Sequence, residues 1–369
     1  MNNGMSRILE DAPPVATATG EKDPVRLGTA APRLRLEPLA PAEIARWDAL
    51  VATFPQRTVF HRRAWLDCLA EACSVEWRFW AVTQSSRVVG YFCGGVAKRG
   101  PFRMLGSPLR SWHTNYMGPL LGEEVREQDF AAALDDLARE ERFDIIEIEY
   151  ADMPPAAFEN AGFTCYQSWT ELVDLSRDHH AMMLRMSNGR KHGVRKATRH
   201  GLELVECEDA GARLHDQLTR ALRTKGAVCP IGPEFPLAVV GHMRPAGLLY
   251  TLGVRNPEGE IVATGIFPYD NDTVYQWDSS SEIAGREWHP NDLLHFGLMC
   301  HAADDGLKTY NMSGYGRFNH AFGSRMVATY RWHKCYSAAA KLARAASERL
   351  SRVERRKGFA GWLLRTFLH

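Results

Sequence analysis

Six cationic side chains follow one another without an intervening acid near the middle of the chain, and this run suggests phosphate binding. The stretch RMSNGRKHGVRKATRHG contains them: Arg185, Arg190, Lys191, Arg195, Lys196 and Arg199. A solvated basic helix face is the ordinary interpretation of such a run. The cations repel each other, however, and a phosphate-bearing ligand would relieve the repulsion. We therefore interpret Lys191, Arg195 and Lys196 as phosphate-binding residues.

A carboxylate follows an aromatic residue at the end of a predicted strand, in the stretch YQWDSSS (275–281). A turn that ends a strand commonly contains Asp and Ser, and this is the structural interpretation. The functional interpretation is that Asp278 faces an amine that must lose a proton during a reaction. We name Asp278 as a candidate catalytic residue and Trp277 as a candidate binding residue.

The stretch YNMSGYGRFNHAFG (310–323) sets three glycines among aromatic residues directly after a short strand. Glycines let the backbone turn sharply or approach a ligand closely, and aromatic rings offer flat contact surfaces. A turn with a few core aromatics is the alternative. We interpret the stretch as a wall that orients an acceptor, in which Tyr310 and Tyr315 could donate a proton to a leaving thiolate or simply pack.

The elements that must position these residues recur in the two halves of the chain. The first half predicts a hairpin, a helix and a strand at 78–100, 127–142 and 143–150, and the helix has Phe130, Leu134 and Leu137 on one face. The second half predicts a hairpin, a strand, a helix and a strand at 248–269, 272–281, 289–306 and 307–314. The helix of the second half begins at Pro290 and is closed by Gly306. This order predicts a mixed α/β (α+β) fold built from two copies of one unit. Recurrence by chance is the alternative.

Composition limits the classes of function. The 369 residues carry a formal net charge of +1, which argues against general binding to DNA. Eight cysteines occur without a CxxC pair or zinc-like spacing, so free thiols and no metal site are expected. The first 31 residues lack a signal-peptide pattern and suggest a disordered leader. We expect a cytoplasmic protein.

The end of the chain, 337–369, predicts a basic amphipathic tail. Its apolar residues are Phe359, Trp362, Leu363, Leu364, Phe367 and Leu368, next to a segment rich in Lys and Arg. Such a pattern is typical of a helix that lies on an anionic membrane. We predict peripheral contact through 341–369 with the inner face of the cell membrane. The alternative is a terminal helix packed on the second half of the chain.

Four stretches resemble GNAT acyltransferases of the double-lobed, FemAB-like and BioF2-like branch: TVFHRRAWLDCL, GSPLRSWHTNYMGPLL, GRKHGVRKATRHGLELVE and WHPNDLLHFGLMCHAADDGLKTYNMSGYGRFNHAFG. The resemblance implies two tandem GNAT-like acyltransferase lobes, 32–175 and 176–336. It places the basic run beside the substrate channel and HTNYMGP (113–119) at the cleft between the lobes. The expected catalytic residues are Asp278, Tyr310 and Asn311. The expected binding residues are Lys191, Arg195, Lys196, Trp277, Asn291, Tyr315, Phe318, Asn319 and His320.

The chain departs from this family at two positions, because relatives usually have Asp where Asn311 stands and Lys where Asn319 stands. The resemblance implies N-acyl transfer, with acyl-CoA or a similar donor as co-substrate and no metal. The acceptor would be an amine on a small-molecule or lipid-linked glycan, in cell-envelope or exopolysaccharide biosynthesis. No GxSxG motif occurs, which favours direct attack over a covalent acyl-enzyme.

Two other functions remain open at this point. A FemAB-type aminoacyl transfer from charged tRNA would suit the basic run. It is less favoured, because the sequence shows no long helical-hairpin insertion of the kind present in many such enzymes. The Asn311 and Asn319 departures also permit a non-catalytic module that binds an envelope glycan.

Overall fold

The computed structural model describes residues 33–150 and 155–356. The predicted leader and the apolar residues at the end of the predicted tail lie outside these ranges. None of the helices in the described ranges is long and apolar enough to cross a membrane.

The N-terminal half contains the elements β1 to β7 and α1 to α5. They are β1 (Leu34–Pro38), α1 (Pro41–Ile44), α2 (Trp47–Val51), α3 (Arg63–Cys73), β2 (Glu76–Gln84), β3 (Arg87–Arg99), β4 (Phe102–Ser107), β5 (Leu120–Leu121), α4 (Glu127–Glu140), β6 (Ile145–Tyr150), α5 (Pro155–Glu159) and β7 (Thr164–Asp174). The predicted apolar face of α4 is confirmed: Phe130, Leu134 and Leu137, spaced at helical periodicity, are all buried.

The C-terminal half contains the remaining elements. They are α6 (His179–Arg185), α7 (Asn188–Arg199), β8 (Glu203–Glu206), α8 (Ala210–Arg223), α9 (Glu234–Met243), β9 (Leu249–Arg255), β10 (Ile261–Asp270), β11 (Thr273–Tyr275), β12 (Asp278–Ser281), α10 (Pro290–Asp304), β13 (Thr309–Asn311), α11 (Arg317–His320), β14 (Arg325–Cys335) and α12 (Ala338–Arg356). Helix α10 begins at Pro290, whose fixed φ suits the first helical position. It is followed by Gly306 at φ +90°.

The strands form one continuous sheet in the order β1-β2-β3-β4-β6-β14-β7-β13-β11-β10-β9-β8, with β5 beside β3 and β12 beside β10. Most neighbours are antiparallel. The exceptions are β4 with β6 and β11 with β13, which are parallel. Each half thus has one parallel pair next to an antiparallel hairpin, as expected for two copies of one unit.

Strand β14 joins the two halves. It pairs with β6 along residues 330–335 and with β7 along residues 325–333. It therefore lies in the middle of the sheet, although it is the last strand of the chain. Because its two neighbours come from the first half, the halves cannot separate without breaking main-chain hydrogen bonds on both sides of β14.

Three groups of buried apolar side chains form the core. One lies under α4 in the N-terminal half and one lies between the C-terminal strands and helices α7 and α10. The third is shared by both halves and contains Trp65 of α3, Phe235 of α9 and Trp277. The ring of Trp277 lies 5.3 Å from that of Phe235 and 6.3 Å from that of Trp65. Apolar burial therefore fixes the two lobes against each other beside the residues that sequence analysis selected.

Candidate active site

A gap opens between two strands of the C-terminal lobe. Strands β11 and β13 are paired from Thr273 and Thr309 to Tyr275 and Asn311. The Gln276 N–H then donates to the Asn311 carbonyl at 2.8 Å. Beyond this bond the chain enters β12, which pairs with β10 instead. The single strand predicted at 272–281 is thus divided, and the parting of β12 from β13 resembles the places where open α/β sheets bind ligands.

A cavity of about 180 Å³ lies at the first turn of α10. It is lined by Arg190, Ser281, Arg286, His289, Pro290, Asn291, Asp292 and Phe318. Two guanidinium groups and one carboxylate are among these groups. The first N–H groups of a helix lack intrahelical partners and carry partial positive charge. The cavity is therefore suited to an anionic group.

Arg190 of α7 is fixed over this cavity by an ion pair and by a cation–π contact. Its guanidinium group forms an ion pair with Asp292, whose side chain is only 2% exposed. His289 Nδ1 lies 3.1 Å from the other Asp292 oxygen. The Arg190 guanidinium also lies 4.5 Å from the centre of the Phe318 ring, a favourable cation–π distance. With 26% of its side chain exposed, Arg190 remains accessible to a ligand.

Asn291 carries an unsatisfied acceptor at the same cavity. Its Nδ2 donates to Ser281 Oγ at 3.2 Å. Its Oδ1 is buried and has no hydrogen-bond partner among the described residues. An unpaired buried polar atom costs about 1–3 kcal/mol. A hydrogen-bond donor on a ligand could bond to Asn291 Oδ1 without breaking an existing hydrogen bond of the protein.

Gly193 allows α7 to lie against the start of α10. A Cβ atom at this position would lie 1.8 Å from Asp292 Oδ2 and 3.1 Å from His289 Nδ1. The Asp292 carboxylate therefore occupies the space that any larger side chain at 193 would need. This close approach of the helices lets the Asp292 carboxylate, at the first turn of α10, pair with Arg190, which lies one turn before Gly193 on α7.

We expect Gly193→Ala to lower the free energy of unfolding by about 1–3 kcal/mol, because the added methyl group must displace Asp292 or the helix. Gly189→Ala is the matched control on the same helix. Its Cβ would meet nothing closer than Ser187 Oγ at 4.0 Å, so a neutral or slightly stabilising effect is expected. Urea denaturation of both variants measures the difference. Equal effects would contradict this description of the contact.

Asp278 faces the N-terminal lobe, where it meets a histidine. Its Oδ2 lies 3.4 Å from His113 Nε2, and both side chains are partly exposed. Trp277 Nε1 donates to the His113 carbonyl at 3.0 Å. His113 has φ +47°, a left-handed conformation that is uncommon outside glycine. The structure thus brings HTNYMGP and YQWDSSS together at the boundary between the lobes.

Tyr310 is fully buried and does not reach a substrate directly. Its hydroxyl lies 2.7 Å from His295 Nδ1, and burial raises the pKa of the phenol well above its usual value. His295 Nε2 in turn lies 3.2 Å from Ser279 Oγ. Of these groups, Ser279 is the one that is half-exposed at the gap.

Asn311 and Asn319 make structural hydrogen bonds. Asn311 Oδ1 accepts from Thr170 Oγ1 at 2.7 Å and from the Ser313 N–H at 2.8 Å. An aspartate would accept the same two bonds, so this departure preserves the local geometry. Asn319 Nδ2 donates to the Gly314 carbonyl at 3.1 Å and so closes the loop that follows β13.

Other predicted binding residues lie around the gap at different depths. Tyr315 is 48% exposed in the loop after β13, and Phe318 lies beneath Arg190. His320 is exposed, with its Nδ1 3.4 Å from Glu171 Oε1. We retain Tyr315 and Phe318 as candidate binding residues because they border the gap and the cavity respectively.

The predicted phosphate-binding residues do not line the cavity. Arg195 is exposed, whereas Lys191 and Lys196 are half-buried. Lys191 Nζ lies 3.5 Å from the Leu184 carbonyl. Within the described ranges none of the three forms an ion pair, so their charges remain available on the outer side of α7. Arg190, from the same run, is the cation that α7 directs to the cavity.

His113, Ser279, His295 and Arg190 were not predicted as site residues. Signals existed for three of them, because His113 begins the stretch HTNYMGP, Ser279 lies in the stretch YQWDSSS and Arg190 belongs to the basic run. His295 gave no signal, since a lone histidine on a predicted helix is usually a core residue. Its role depends on neighbours that only the fold reveals.

The corresponding parallel pair of the N-terminal lobe, β4 and β6, ends in a filled region. Ser107 Oγ donates to the Cys93 carbonyl at 2.8 Å. Glu147 on β6 is buried and paired with Arg331 and Arg344. Burial acts to raise the pKa of Glu147, but the two guanidinium groups outweigh it and lower that pKa. The charges there are matched within the protein, so we place the candidate site in the C-terminal lobe.

A larger cavity of about 390 Å³ lies beneath α12, on strands β7 and β14. Two of its cationic lining groups, Lys334 and Arg344, are already paired with Asp135 and Glu147. In residues 33–150 and 155–356 no cluster of three His, Cys, Asp or Glu side chains could hold a metal ion. Arg190 at the α10 cavity is paired as well, but that cavity is lined by Ser281 of β12, the strand that borders the gap. We therefore take the gap and the α10 cavity as the candidate site.

Residues 187–321 match the family model for the acetyltransferase (GNAT) domain. All the residues at the gap and at the α10 cavity lie inside this match, apart from His113. A search among curated proteins finds no match. The family match covers residues 187–321 and agrees with the resemblance of the motifs.

Solved structures support the same fold. FemX is 12% identical over 80% of this chain and 96% of its own, with a TM-score of 0.64. The C-terminal domain of a putative lysylphosphatidylglycerol synthetase from Agrobacterium fabrum is 14% identical over 84% of this chain and 98% of its own, with a TM-score of 0.54. A tandem GNAT protein from the clavulanic acid biosynthesis pathway is 15% identical over 82% and 98%, with a TM-score of 0.52.

At these identities the structural likeness establishes the fold alone. It confirms the predicted mixed α/β architecture of two tandem GNAT-like lobes. Together with the family match, it confirms the predicted resemblance to FemAB-like GNAT acyltransferases and the predicted class, a GNAT-type N-acyltransferase.

Proposed function

We propose that this chain, whose residues 187–321 form a GNAT acetyltransferase domain, moves an acyl group from acyl-CoA or a similar activated donor to an amine on a cell-envelope or exopolysaccharide precursor. The parting of β12 from β13 is the observation that carries the proposal. It lies between a cavity suited to an anion on one side and the Asp278–His113 pair on the other. An anionic donor and an amine acceptor can thus meet at one place.

The donor end of the site is the cavity at α10. Arg190 and Arg286 supply positive charge, and the start of α10 adds the partial positive charge of the helix dipole. The cavity volume of about 180 Å³ is smaller than the roughly 300–1,000 Å³ of pockets that enclose a whole ligand. It therefore suits the phosphate end of acyl-CoA, with the rest of the donor extending along the gap toward Ser279.

The acceptor end of the site is the boundary between the lobes. Asp278 Oδ2 lies next to His113 Nε2, so His113 would accept a proton at Nδ1. A histidine oriented by a carboxylate is a common general base. In this role His113 would take the proton that the amine loses as its nitrogen bonds to the acyl carbon. Tyr315 is exposed near the gap and could protonate the leaving thiolate.

Two alternatives retain specific support. The exposed cations of α7 and the likeness to FemX suit an aminoacyl group delivered by charged tRNA. The structural bonds of Asn311 and Asn319 are compatible with a non-catalytic module that binds an envelope glycan. The Asp278–His113 pair favours catalysis, because binding a neutral glycan does not require an oriented base.

Peripheral attachment to an anionic membrane through 341–369 stays a prediction, as does a cytoplasmic location. Arg344 on α12 contributes little to it, because its guanidinium group is paired with Glu147 and Glu348. Lys341 is exposed and without an ion-pair partner among the described residues. Sedimentation with anionic vesicles, comparing the full chain with a chain that ends at Tyr336, tests the prediction.

Release of free thiol from acetyl-CoA in the presence of amino sugars tests the proposed function. We expect release that depends on the acceptor. Retention of charged tRNA on filters, with transfer of its aminoacyl group, would support the tRNA-dependent alternative. Binding of an amino sugar without transfer from either donor would support the binding module and contradict the enzyme.

A further inference from the structure

Four side chains beneath the gap form a closed ring of hydrogen bonds. Ser279 Oγ lies 3.2 Å from His295 Nε2, and His295 Nδ1 lies 2.7 Å from the Tyr310 hydroxyl. Tyr310 donates to Gln276 Oε1 at 3.3 Å, and Gln276 Nε2 donates to Ser279 Oγ at 3.3 Å. The ring could not be predicted from local sequence patterns, because its members come from two strands, a loop and a helix.

The two ends of the Gln276 amide set the direction of the ring. Its Oε1 accepts only and its Nε2 donates only. Tyr310 therefore gives its proton to Gln276, and His295 donates from Nδ1 to the Tyr310 oxygen. His295 Nε2 is then an acceptor, and Ser279 donates its hydroxyl proton to it. Every group in the ring donates once and accepts once, which satisfies the buried polar atoms.

The ring is buried and uncharged. His295 is 1% exposed and Tyr310 is fully buried. Burial, together with the nearby positive charge of Arg190, lowers the pKa of His295 to about 3. The imidazole is thus neutral at physiological pH. Ser279 and Gln276 are the half-exposed members, and Ser279 connects the ring to the gap.

The ring does not activate Ser279 as a nucleophile. A nucleophilic serine needs a base that can hold its proton, and a carboxylate usually stabilises the resulting imidazolium. The neighbours of His295 in the described ranges are the Tyr310 hydroxyl and the rings of Phe267, Phe318 and Phe322. An imidazolium would be buried among them without a compensating charge.

Successive residues of β12 point to opposite sides. Asp278 turns to His113 in the N-terminal lobe, whereas Ser279 turns to His295 in α10. We infer that the ring holds the Ser279 proton on the buried side, so that Ser279 Oγ faces the gap as a hydrogen-bond acceptor and orients an N–H of the attacking amine. Ser279 is then a further catalytic residue, and Gln276, His295 and Tyr310 are positioning residues. This inference rests on the proposed function in one respect, because it assumes that the acceptor is an amine.

The tautomer of His295 tests the direction of the ring without any substrate. Long-range proton–nitrogen NMR spectra of the full chain, with ¹⁵N-labelled histidine, report which ring nitrogen carries the proton. Tyr310→Phe removes the partner of Nδ1 and identifies the His295 signals. We expect the proton on Nδ1 in the wild-type protein. A proton on Nε2 would overturn the inference, because Ser279 would then accept from His295 and present its own proton to the gap.

Kinetics with acetyl-CoA and D-glucosamine test the role of Ser279. We expect Ser279→Ala to lower kcat/KM for D-glucosamine by about tenfold and Tyr310→Phe by about threefold to tenfold, with the KM of acetyl-CoA unchanged. Because Tyr310 acts through Ser279, Tyr310→Phe should cost nothing further when Ser279 is already Ala. Additive losses would show that Tyr310 has only a structural role and would overturn this part.

Two further outcomes separate this inference from the proposed function. Peptide mass spectra that locate an acetyl group on Ser279 would overturn the inference, because they would make Ser279 a nucleophile, while the transferase function would stand. A wild-type protein that does not acetylate D-glucosamine would contradict the proposed function for this substrate pair. The tautomer of His295 would then be the test of the hydrogen-bond direction in the ring, because it needs no substrate.

Discussion

Replacement of Asp278 by Asn should lower kcat for acyl transfer by roughly 10²- to 10⁴-fold, the range typical of a lost general acid–base contribution. The amide keeps the size of the side chain, but it cannot stabilise a positive charge on His113, which lies 3.4 Å away. His113→Gln should have a similar effect. Steady-state kinetics with saturating donor measure both variants.

Asp304→Asn is the matched control for this prediction. Asp304 also pairs with a histidine, His179, at 2.9 Å, but this pair lies on the surface of the C-terminal lobe. Its loss should leave kcat unchanged. Because Asp278 and His113 act as one unit, the double variant should be no slower than the slower single variant. Independent, multiplying losses would contradict the proposed pair.

Replacement of Arg190 by Met should lower the free energy of unfolding by about 3–5 kcal/mol, the usual cost of removing one partner of a buried ion pair. Asp292 is 2% exposed, and His289 would be its remaining ionic partner among the described residues. The same change removes a cation from the cavity at α10, so CoA should bind more weakly. Urea denaturation and calorimetric titration with CoA measure the two effects.

Lys191→Met is the control, because Lys191 lies next to Arg190 but forms no described ion pair. Its effect on stability should stay within about 0.5 kcal/mol. Adding Asp292→Asn to Arg190→Met should restore part of the stability, since no buried charge is then left unpaired, but it should not restore CoA binding. If Arg190→Met and Lys191→Met behave alike, the proposed donor site is wrong.

Local patterns predicted many elements of the fold. The spacing of Phe130, Leu134 and Leu137 identified α4, and Pro290 and Gly306 marked the limits of α10. These signals act within one or two helical turns, where a residue's own conformational preference decides the outcome. The hairpins followed in the same way from alternating apolar residues.

The position of β14 between β6 and β7, two strands of the N-terminal half, could not be predicted from such patterns. Arg331 of β14 pairs with Glu149 of β6, 182 positions away in the sequence. Strands of similar composition could pair in several ways, and the choice depends on which arrangement buries the shared core. A single sequence does not reveal that choice.

The candidate site could be predicted only in part, because several of its residues are brought together by long-range packing. Asp278 could be selected because its type and position suit proton transfer. To select Arg190 instead of Lys191, one must know which face of α7 is turned towards α10. That orientation is set by the burial of Gly193, Val194 and Ala197. Pairing His113 with Asp278 required the packing of one lobe on the other, since 165 positions of sequence separate them.

The most direct test of this account is the product formed by wild-type protein and Asp278→Asn from acetyl-CoA and D-glucosamine, measured by mass spectrometry together with free CoA. The account predicts that the wild-type protein forms N-acetylated product in proportion to the CoA released, and that Asp278→Asn forms it at least roughly 100-fold more slowly. Equal rates of product formation by the two proteins, or release of CoA without an acetylated amine, would contradict it.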